Sequence, residues 1–266
     1  MRTVLGVDAA WTVENPSGVA LAIEGPNGWR LKAVESSYER FRERAAGREP
    51  LAIPRGEAPD VSALLDACTR LGEHAPDLVA IDMPLALTPI VGRRCSDIEI
   101  SHNFGAAKAA THSPSALRPG QLADKMRQDF SDRGYDLCTS DGLRSPGVLE
   151  VYPHTALIRL SGDKTRLTYK AAKTKKYWKD DTLEVRMTYL ATVWRRIVDL
   201  LEKRISGVAD KLTQPKMSGR PLKDFEDCLD AVVCAWVAIE ALEGRARPYG
   251  DKDSAIWVPE PGLTAD

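Results

Sequence analysis

The sequence has no excess of charge of one sign. Its 266 residues include 37 Lys and Arg against 38 Asp and Glu, which gives a formal net charge of -1 at pH 7. A strongly basic chain would attract nucleic acid or anionic membranes over its whole surface. This balance restricts any site for a polyanion to a local patch.

Cysteine and long apolar runs are also scarce. The five cysteines are odd in number and form no CxxC pair, which argues against a disulfide framework and a structural zinc site. No run approaches the roughly 20 apolar residues of a spanning helix, and residues 1–10 do not resemble a signal peptide. We therefore expect a soluble protein in the reducing cytoplasm, with no membrane partner.

The order of apolar segments predicts a mixed α/β domain. Three short segments joined by turn residues predict an antiparallel meander: TVLGVDAAW, SGVALAIE and GWRLKAVESS. A helix is expected in DVSALLDACTRLGEH, and buried strands are expected in PDLVAIDMP and GVLEVYP. The last apolar segment, AIWVP, is predicted to be an edge strand or a docked tail. Because strands and helices do not alternate regularly, a doubly wound sheet is not expected.

We predict a single domain over residues 1–266 with two unusual segments. The long irregular connection at about 84–147 is typical of a functional loop or lid. The segment at about 161–180 is basic and contains aromatic residues, and Lys170 and Lys173 are its candidate substrate contacts. Such a segment fits either a surface that follows a nucleic-acid backbone or an exposed, mobile loop.

Acidic residues occur where apolar neighbours predict burial. Asp8 lies in GVDAA, Asp82 in AIDMP and Glu150 in LEVYP, each within or at the end of a predicted strand. Asp227 and Asp230 share one face at the entrance of an apolar helix predicted to start near residue 223. Buried acids are costly unless they are paired, hydrogen-bonded or bound to a metal.

Each acid also has an ordinary structural interpretation. Asp8 can accept turn hydrogen bonds, Asp82 can cap the turn before Pro84, and Glu150 can face solvent on an edge strand. The two helix acids can complement the helix dipole and cap the helix. However, the apolar residues after Asp230 press that end of the helix against the sheet, beside the strand acids. Like charges repel unless a cation lies among them, and hard oxygen ligands suit Mg²⁺ or Mn²⁺.

Five motifs in this order resemble the family called domain of unknown function 429, whose members are predicted nucleases of the ribonuclease H-like fold. The motifs are GVDAAW, AIDMPLAL, GRRCSD, LEVYPH and DCLDAVVCAWVA. The resemblance extends from near residue 3 to about residue 258. The start of the last helix is also similar to that of RuvC-type Holliday-junction resolvases, which belong to the same superfamily.

The resemblance implies a mixed five-stranded sheet, with the first three strands antiparallel and helices flanking it. It implies two Mg²⁺ or Mn²⁺ ions held by Asp8, Asp82 and Asp230, with Asp227 as a further ligand or a supporting group. RuvC-type enzymes have Glu where this chain has Asp82, and Glu150 is a candidate to share its task. Such a site would hydrolyse phosphodiester bonds in nucleic acid.

Other polar residues are candidates with an equally ordinary alternative. Arg93 and Arg94 follow Asp82 closely enough to bind a substrate phosphate, and they also fit a solvated loop. His112 and His154 are candidates for proton transfer, although a lone histidine is more often a hydrogen-bonded structural residue.

Two further function classes stay open. A catalytically inactive ribonuclease H-like binding module is compatible with the near-neutral charge and with Asp82 in place of Glu. An actin-like or sugar-kinase-type phosphotransferase would share the sheet topology and a first-strand Asp. It would also need a glycine-rich hairpin and a second domain, and the hairpin DAAWTVENPSG contains a single glycine.

Overall fold

A computed structural model describes residues 1–50 and 52–260, which form one mixed sheet of eight strands flanked by helices. The strands are β1 (Thr3–Asp8), β2 (Gly18–Gly25), β3 (Gly28–Glu35), β4 (Leu78–Ile81), β5 (Asp136–Leu137), β6 (Gly147–Val151), β7 (Ala246–Gly250) and β8 (Ala255–Pro259). The helices are α1 (Tyr38–Ala45), α2 (Val61–Gly72), α3 (Cys95–Phe104), α4 (Gly120–Ser131), α5 (Pro153–Ser161), α6 (Thr174–Tyr177), α7 (Leu183–Glu202), α8 (Val208–Lys211) and α9 (Arg220–Leu242), with a 3-10 turn at Ala171–Lys173.

The strand order is β3-β2-β1-β4-β6-β8-β7, and β5 pairs with β6. The first three strands pair antiparallel, as predicted, while β4, β6 and β8 continue from β1 in parallel. The mixed α/β class is therefore confirmed, but the sheet is larger than the five strands expected. The segment AIWVP is neither an edge strand nor a docked tail, because β7 pairs with β8 on its outer side.

The two faces of the sheet support separate cores. Successive side chains of a strand point to opposite faces. In β1, Val4 belongs to the core that also contains residues of α5, α7 and α9, whereas Leu5 and Val7 belong to the core that contains residues of α1, α2 and α4. The central strands are thus covered on both faces, which explains their nearly continuous apolar sequences.

Glycines allow α9 to lie directly on β1 and β2. A Cβ atom at Gly6 would overlap the backbone of Ala231 and Ala235, and one at Gly18 would overlap the backbone of Asp227. The acidic half of α9 is therefore fixed against the strand that carries the first predicted acid.

The two unusual segments contain regular structure. Residues 84–147 include α3, α4 and β5, and Met126 and Phe130 of α4 are fully buried. The basic segment includes the 3-10 turn and α6. The lid interpretation stays a prediction. In the described part of the chain, no helix combines the length and apolar character needed to cross a membrane.

Replacing Gly6 with Ala should lower the free energy of unfolding by about 1–3 kcal/mol, because the added methyl group forces α9 away from β1. Urea denaturation measures this change. Gly72→Ala is the matched control, since its methyl group would lie 3.4 Å from the nearest side-chain atom, within α2. Wild-type stability of Gly6→Ala would contradict the close packing of α9 on β1.

Candidate carboxylate site

The carboxyl ends of β1 and β4 bring two acids to one edge of the sheet. Asp8 is the last residue of β1, and Asp82 directly follows β4. The strands are parallel neighbours with Val7 opposite Ile81, and the amide N–H of Asp82 donates to the carbonyl oxygen of Val7 at 2.8 Å. Both acids are partly buried at this edge.

Helix α9 adds Asp227 and Asp230, which are 1% and 0% exposed. The predicted helix start near residue 223 is wrong, because α9 begins at Arg220 with Pro221 in its first turn, a position that proline tolerates. Asp227 therefore lies beyond the first turn, where the helix dipole no longer favours negative charge. The position of these two acids relative to β1 is set by packing. Gly18 pairs with Asp8 and contacts the backbone of Asp227, which holds α9 against the strands.

Two lysines lie among these acids. Lys170 contacts the Oδ2 atom of Asp230, and its Nζ atom is 3.4 Å from Oε1 of Glu226. Lys223 contacts Oδ1 of Asp227, and its Nζ atom is 3.7 Å from the same oxygen of Glu226. Each acid of the pair on α9 thus has one lysine partner.

The acids still outnumber the lysines. Burial and the nearby Asp230 raise the pKa of Asp8 to about 6 although Lys170 and Lys223 oppose them, and burial together with Asp8 raises the pKa of Asp227 to about 9. Burial, Asp8 and Asp230 also hold the pKa of Asp82 well above its usual range. Oδ2 of Asp227 has no N–H, hydroxyl or lysine partner among the described residues, and a proton shared with the carboxyl group of Asp8 links these two acids.

The donor chemistry of this cluster fits a hard divalent cation, because carboxylate oxygens are the ligands that Mg²⁺ and Mn²⁺ prefer. Such a cation would displace the proton that Asp8 and Asp227 share and would offset the charge of both acids. However, no three His, Cys, Asp or Glu side chains within residues 1–50 and 52–260 are grouped closely enough to hold a metal ion. In this geometry the lysine partners of Asp227 and Asp230 supply the positive charge instead.

Glu150 belongs to a second buried charge cluster. Arg94 binds its carboxylate with two hydrogen bonds of 2.5 and 2.7 Å, and the amide of Leu85 adds a third of 2.8 Å. The other guanidinium hydrogens of Arg94 go to Asp97 and to the carbonyl oxygen of Leu85. Burial raises the pKa of Glu150 to about 7 despite the nearby arginine.

The five guanidinium donors of Arg94 are thereby all used within the protein. Arg93 donates to the carbonyl oxygen of Asp97 and contacts the hydroxyl of Ser101. Phosphate binding by the two arginines and catalysis by Glu150 stay predictions, and this geometry gives them no support.

Sequence reasoning missed three residues around the acids of α9: Lys223 contacts Asp227, Tyr169 contacts Asp230, and Glu226 shares Lys170 and Lys223 with these acids. Lys223 lies four residues before Asp227, and Glu226 lies four residues before Asp230. This spacing places the two residues of each pair on one face of a helix, so the sequence already indicated that they are neighbours. Tyr169 donates its hydroxyl hydrogen to Oδ1 of Asp230 at 2.8 Å, and no local pattern connects residues so far apart in the chain.

Two adjoining cavities lie at the site and share part of their lining. The outer cleft, of about 790 Å³, is lined by Asp8 and Asp227 among other residues. The inner pocket, of about 180 Å³, is lined by Glu150 and His154 among others. The residues that line both are Trp11, Asp82, His112, Lys170 and Lys173.

Comparison with known protein families identifies the chain at the family level. The family model described as Protein of unknown function (DUF429) matches residues 6–254, so the chain belongs to this family. This confirms the family indicated by the five sequence motifs. Neither the curated proteins nor the solved structures gave a match.

Replacing Arg94 with Lys should lower the free energy of unfolding by about 3 kcal/mol or more, because Glu150 and Asp97 would share one compact cation without a planar fork of donors. Chemical denaturation near pH 7 measures this loss. Arg93→Lys is the matched control at the adjacent position and should change stability much less. Equal losses in the free energy of unfolding for the two variants would contradict the prediction that the cluster around Arg94 stabilises the fold.

The free energy of unfolding should fall as the pH rises from about 5 to about 9. Folding raises the pKa of Asp8 to about 6 and that of Asp227 to about 9, so the folded state binds protons that the unfolded chain has released. This contribution is complete below about pH 4 and is lost as the pH passes through the folded-state values.

Denaturant unfolding at several pH values measures this slope. Asp227→Asn should flatten it, because the amide does not ionise in this range. Asp66→Asn, at an exposed position on α2, is the control and should retain the wild-type slope. A wild-type stability that rises across this range would contradict the prediction.

Proposed function

We propose that the protein is a metal-dependent nuclease that hydrolyses phosphodiester bonds in nucleic acid and has a ribonuclease H-like fold. The observation that carries the proposal is the convergence of Asp8, Asp82, Asp227 and Asp230 at one edge of the sheet, with more carboxylate than the two lysines neutralise. An antiparallel meander followed by strands parallel to β1 is compatible with the fold.

Asp8, Asp82 and Asp230 would hold Mg²⁺ or Mn²⁺ once their side chains move closer together than they lie in the described residues, and Asp227 would act as a further ligand or a supporting group. When bound, a pair of such ions activates water and stabilises the charge that develops on the phosphate. The carboxyl group of Asp227 holds a proton at neutral pH, because its pKa is raised to about 9. A cation beside it would displace that proton, so metal binding should release protons.

The outer cleft also has cations available for a phosphate backbone. Arg118 and Lys173 line it, and within the described residues neither side chain forms an ion pair at contact distance. Burial and the neighbouring Arg166 and Lys170 lower the pKa of Lys173, so an anionic group would relieve this repulsion. Phosphate is the anion that fits both these cations and the carboxylate-bound metal.

A second candidate is a binding module without catalytic activity. Lys170 and Lys223 supply partners for Asp230 and Asp227 without any metal ion, which favours this alternative. The same cleft would then bind nucleic acid without cleaving it.

The first test is Mn²⁺ binding by calorimetry combined with a cleavage assay on single-stranded DNA, RNA and branched DNA. The wild type should bind Mn²⁺ stoichiometrically, and Asp8→Asn and Asp230→Asn should lose this binding. Cleavage should fall by more than about 100-fold in both variants, because each removes a ligand of the catalytic ions. Asp66→Asn is the matched surface control and should behave like the wild type.

Lys170→Met separates the two candidates. If Lys170 occupies the place of a cation, its removal should increase Mn²⁺ affinity, because Asp230 loses its competing partner. Absence of Mn²⁺ binding and of cleavage in both the wild type and Lys170→Met would overturn the hydrolase proposal. Nucleic-acid affinity that is unchanged by chelation would then support the binding module.

A further inference from the structure

The inner pocket contains a buried side chain with unused hydrogen-bonding capacity. His154 is 6% exposed and lines this pocket. Neither imidazole nitrogen has a hydrogen-bond partner among the described residues, and Nδ1 is fully enclosed. A neutral imidazole offers one donor and one acceptor, and buried groups of this kind are normally satisfied. Because Nδ1 is enclosed, Nε2 is the nitrogen that a molecule entering the pocket can reach.

Neighbouring aromatic rings hold His154 in a fixed orientation. Tyr152 and Tyr169 pack edge-to-face against it, each with a centroid distance of 5.3 Å. Their hydroxyl groups are bound in turn, that of Tyr152 to the carbonyl oxygen of Ala110 at 3.1 Å and that of Tyr169 to Asp230. The imidazole is thus positioned before any ligand arrives, which lowers the entropic cost of binding.

The charge state of His154 suits a neutral ligand. Burial lowers its pKa well below the usual range, and Lys170 and Arg166 lower it further. The imidazole is therefore uncharged at neutral pH and offers a hydrogen bond rather than an ion pair. The charged groups at the other side of the pocket, Arg94 and Glu150, already satisfy each other.

The dimensions of the pocket fit a flat ring. Its volume of about 180 Å³ is comparable with that of a protein cavity of roughly 150 Å³ that binds benzene. Asp82 and Trp11 line the inner pocket and the outer cleft alike. A ring in the inner pocket would therefore place the group attached to it in the outer cleft, beside Asp8 and Asp227.

We propose that the inner pocket binds one unpaired nucleobase of the substrate through a hydrogen bond to His154, while the sugar-phosphate lies in the outer cleft. This inference rests on the proposed function, which identifies the attached group as a nucleic-acid backbone. A base that is paired within a duplex cannot enter such a pocket. The substrate is therefore single-stranded or locally unpaired nucleic acid.

The first experiment measures binding of free adenosine, guanosine, cytidine and uridine to the full chain without metal, by calorimetry. At least one nucleoside should bind with a Kd of about 1 mM or tighter. His154→Phe keeps a flat ring but removes both nitrogens, and it should weaken binding by about 10-fold or more. Thermal unfolding of each variant confirms that it is folded.

Two further variants make this result specific. His154→Gln retains a donor and an acceptor, and it should bind the nucleoside better than His154→Phe does. Tyr135→Phe is the matched control, because it removes the hydrogen bond of another buried ring, which donates to the carbonyl oxygen of Pro76 at 2.8 Å. This control should bind like the wild type. Absence of nucleoside binding, or equal binding by His154→Phe, would overturn the inference.

The second experiment separates this inference from the proposed function. The wild type is incubated with Mn²⁺ and a homopolymeric single strand in which one central nucleotide lacks its base. The cleavage pattern should show a gap beside that position and normal cleavage elsewhere. Uniform cleavage would overturn the base pocket and leave the nuclease proposal standing. Absence of cleavage, with nucleoside binding that depends on His154, would overturn the nuclease and support a base pocket in a binding module.

Discussion

The direct contact of α9 with β1 and β2 is the constraint on which the site depends. Gly6 and Gly18 have no Cβ, so the backbone of α9 touches the backbone of the strands. Because Gly18 pairs with Asp8 and contacts Asp227, this one contact fixes the distance between an acid of the sheet and an acid of the helix. The close packing of α9 on the sheet thereby brings the carboxyl groups of Asp8 and Asp227 together. The raised pKa values of these two acids are a consequence of that packing.

Two buried charge clusters lie near each other and differ in completeness. Around Arg94, every guanidinium donor meets an acceptor on Glu150, Asp97 or Leu85, so the cluster is satisfied within the protein. Around Asp227, one buried oxygen has no N–H, hydroxyl or lysine partner within the described residues, so a proton shared with Asp8 must offset the charge that Lys223 leaves. A buried charge that lacks a complete set of partners costs stability. The incomplete cluster is therefore the one that a ligand would stabilise, and this contrast locates the candidate site.

Local patterns in the sequence were sufficient for the meander, the two buried strands and the apolar helix, because each depends on neighbouring residues. They identified Asp8 and Asp82 as acids at the ends of strands, whereas the parallel pairing of β1 with β4, which brings the two acids to one edge, is visible only in the folded chain. They did not reveal β7, because ARPYG has the charge and proline content of a loop and is stabilised by pairing with β8. The contacts of Arg94 with Glu150 and of Tyr169 with Asp230 join distant segments, and only the folded chain brings them together.

The near-neutral charge of the protein and the shape of its cavities both favour binding through contacts to a base over binding through the phosphate backbone alone. With a net charge of -1, the chain gains little general attraction for a polyanion, and much of the positive charge near the site is already paired with acids. Arg118 and Lys173 can neutralise few phosphates, so the backbone alone would give weak, salt-sensitive binding. Contacts to a base do not depend on net charge, and an aromatic pocket with a prepositioned His154 can supply them. Recognition of an unpaired base beside the carboxylates would thus provide the affinity that the electrostatics of this chain do not.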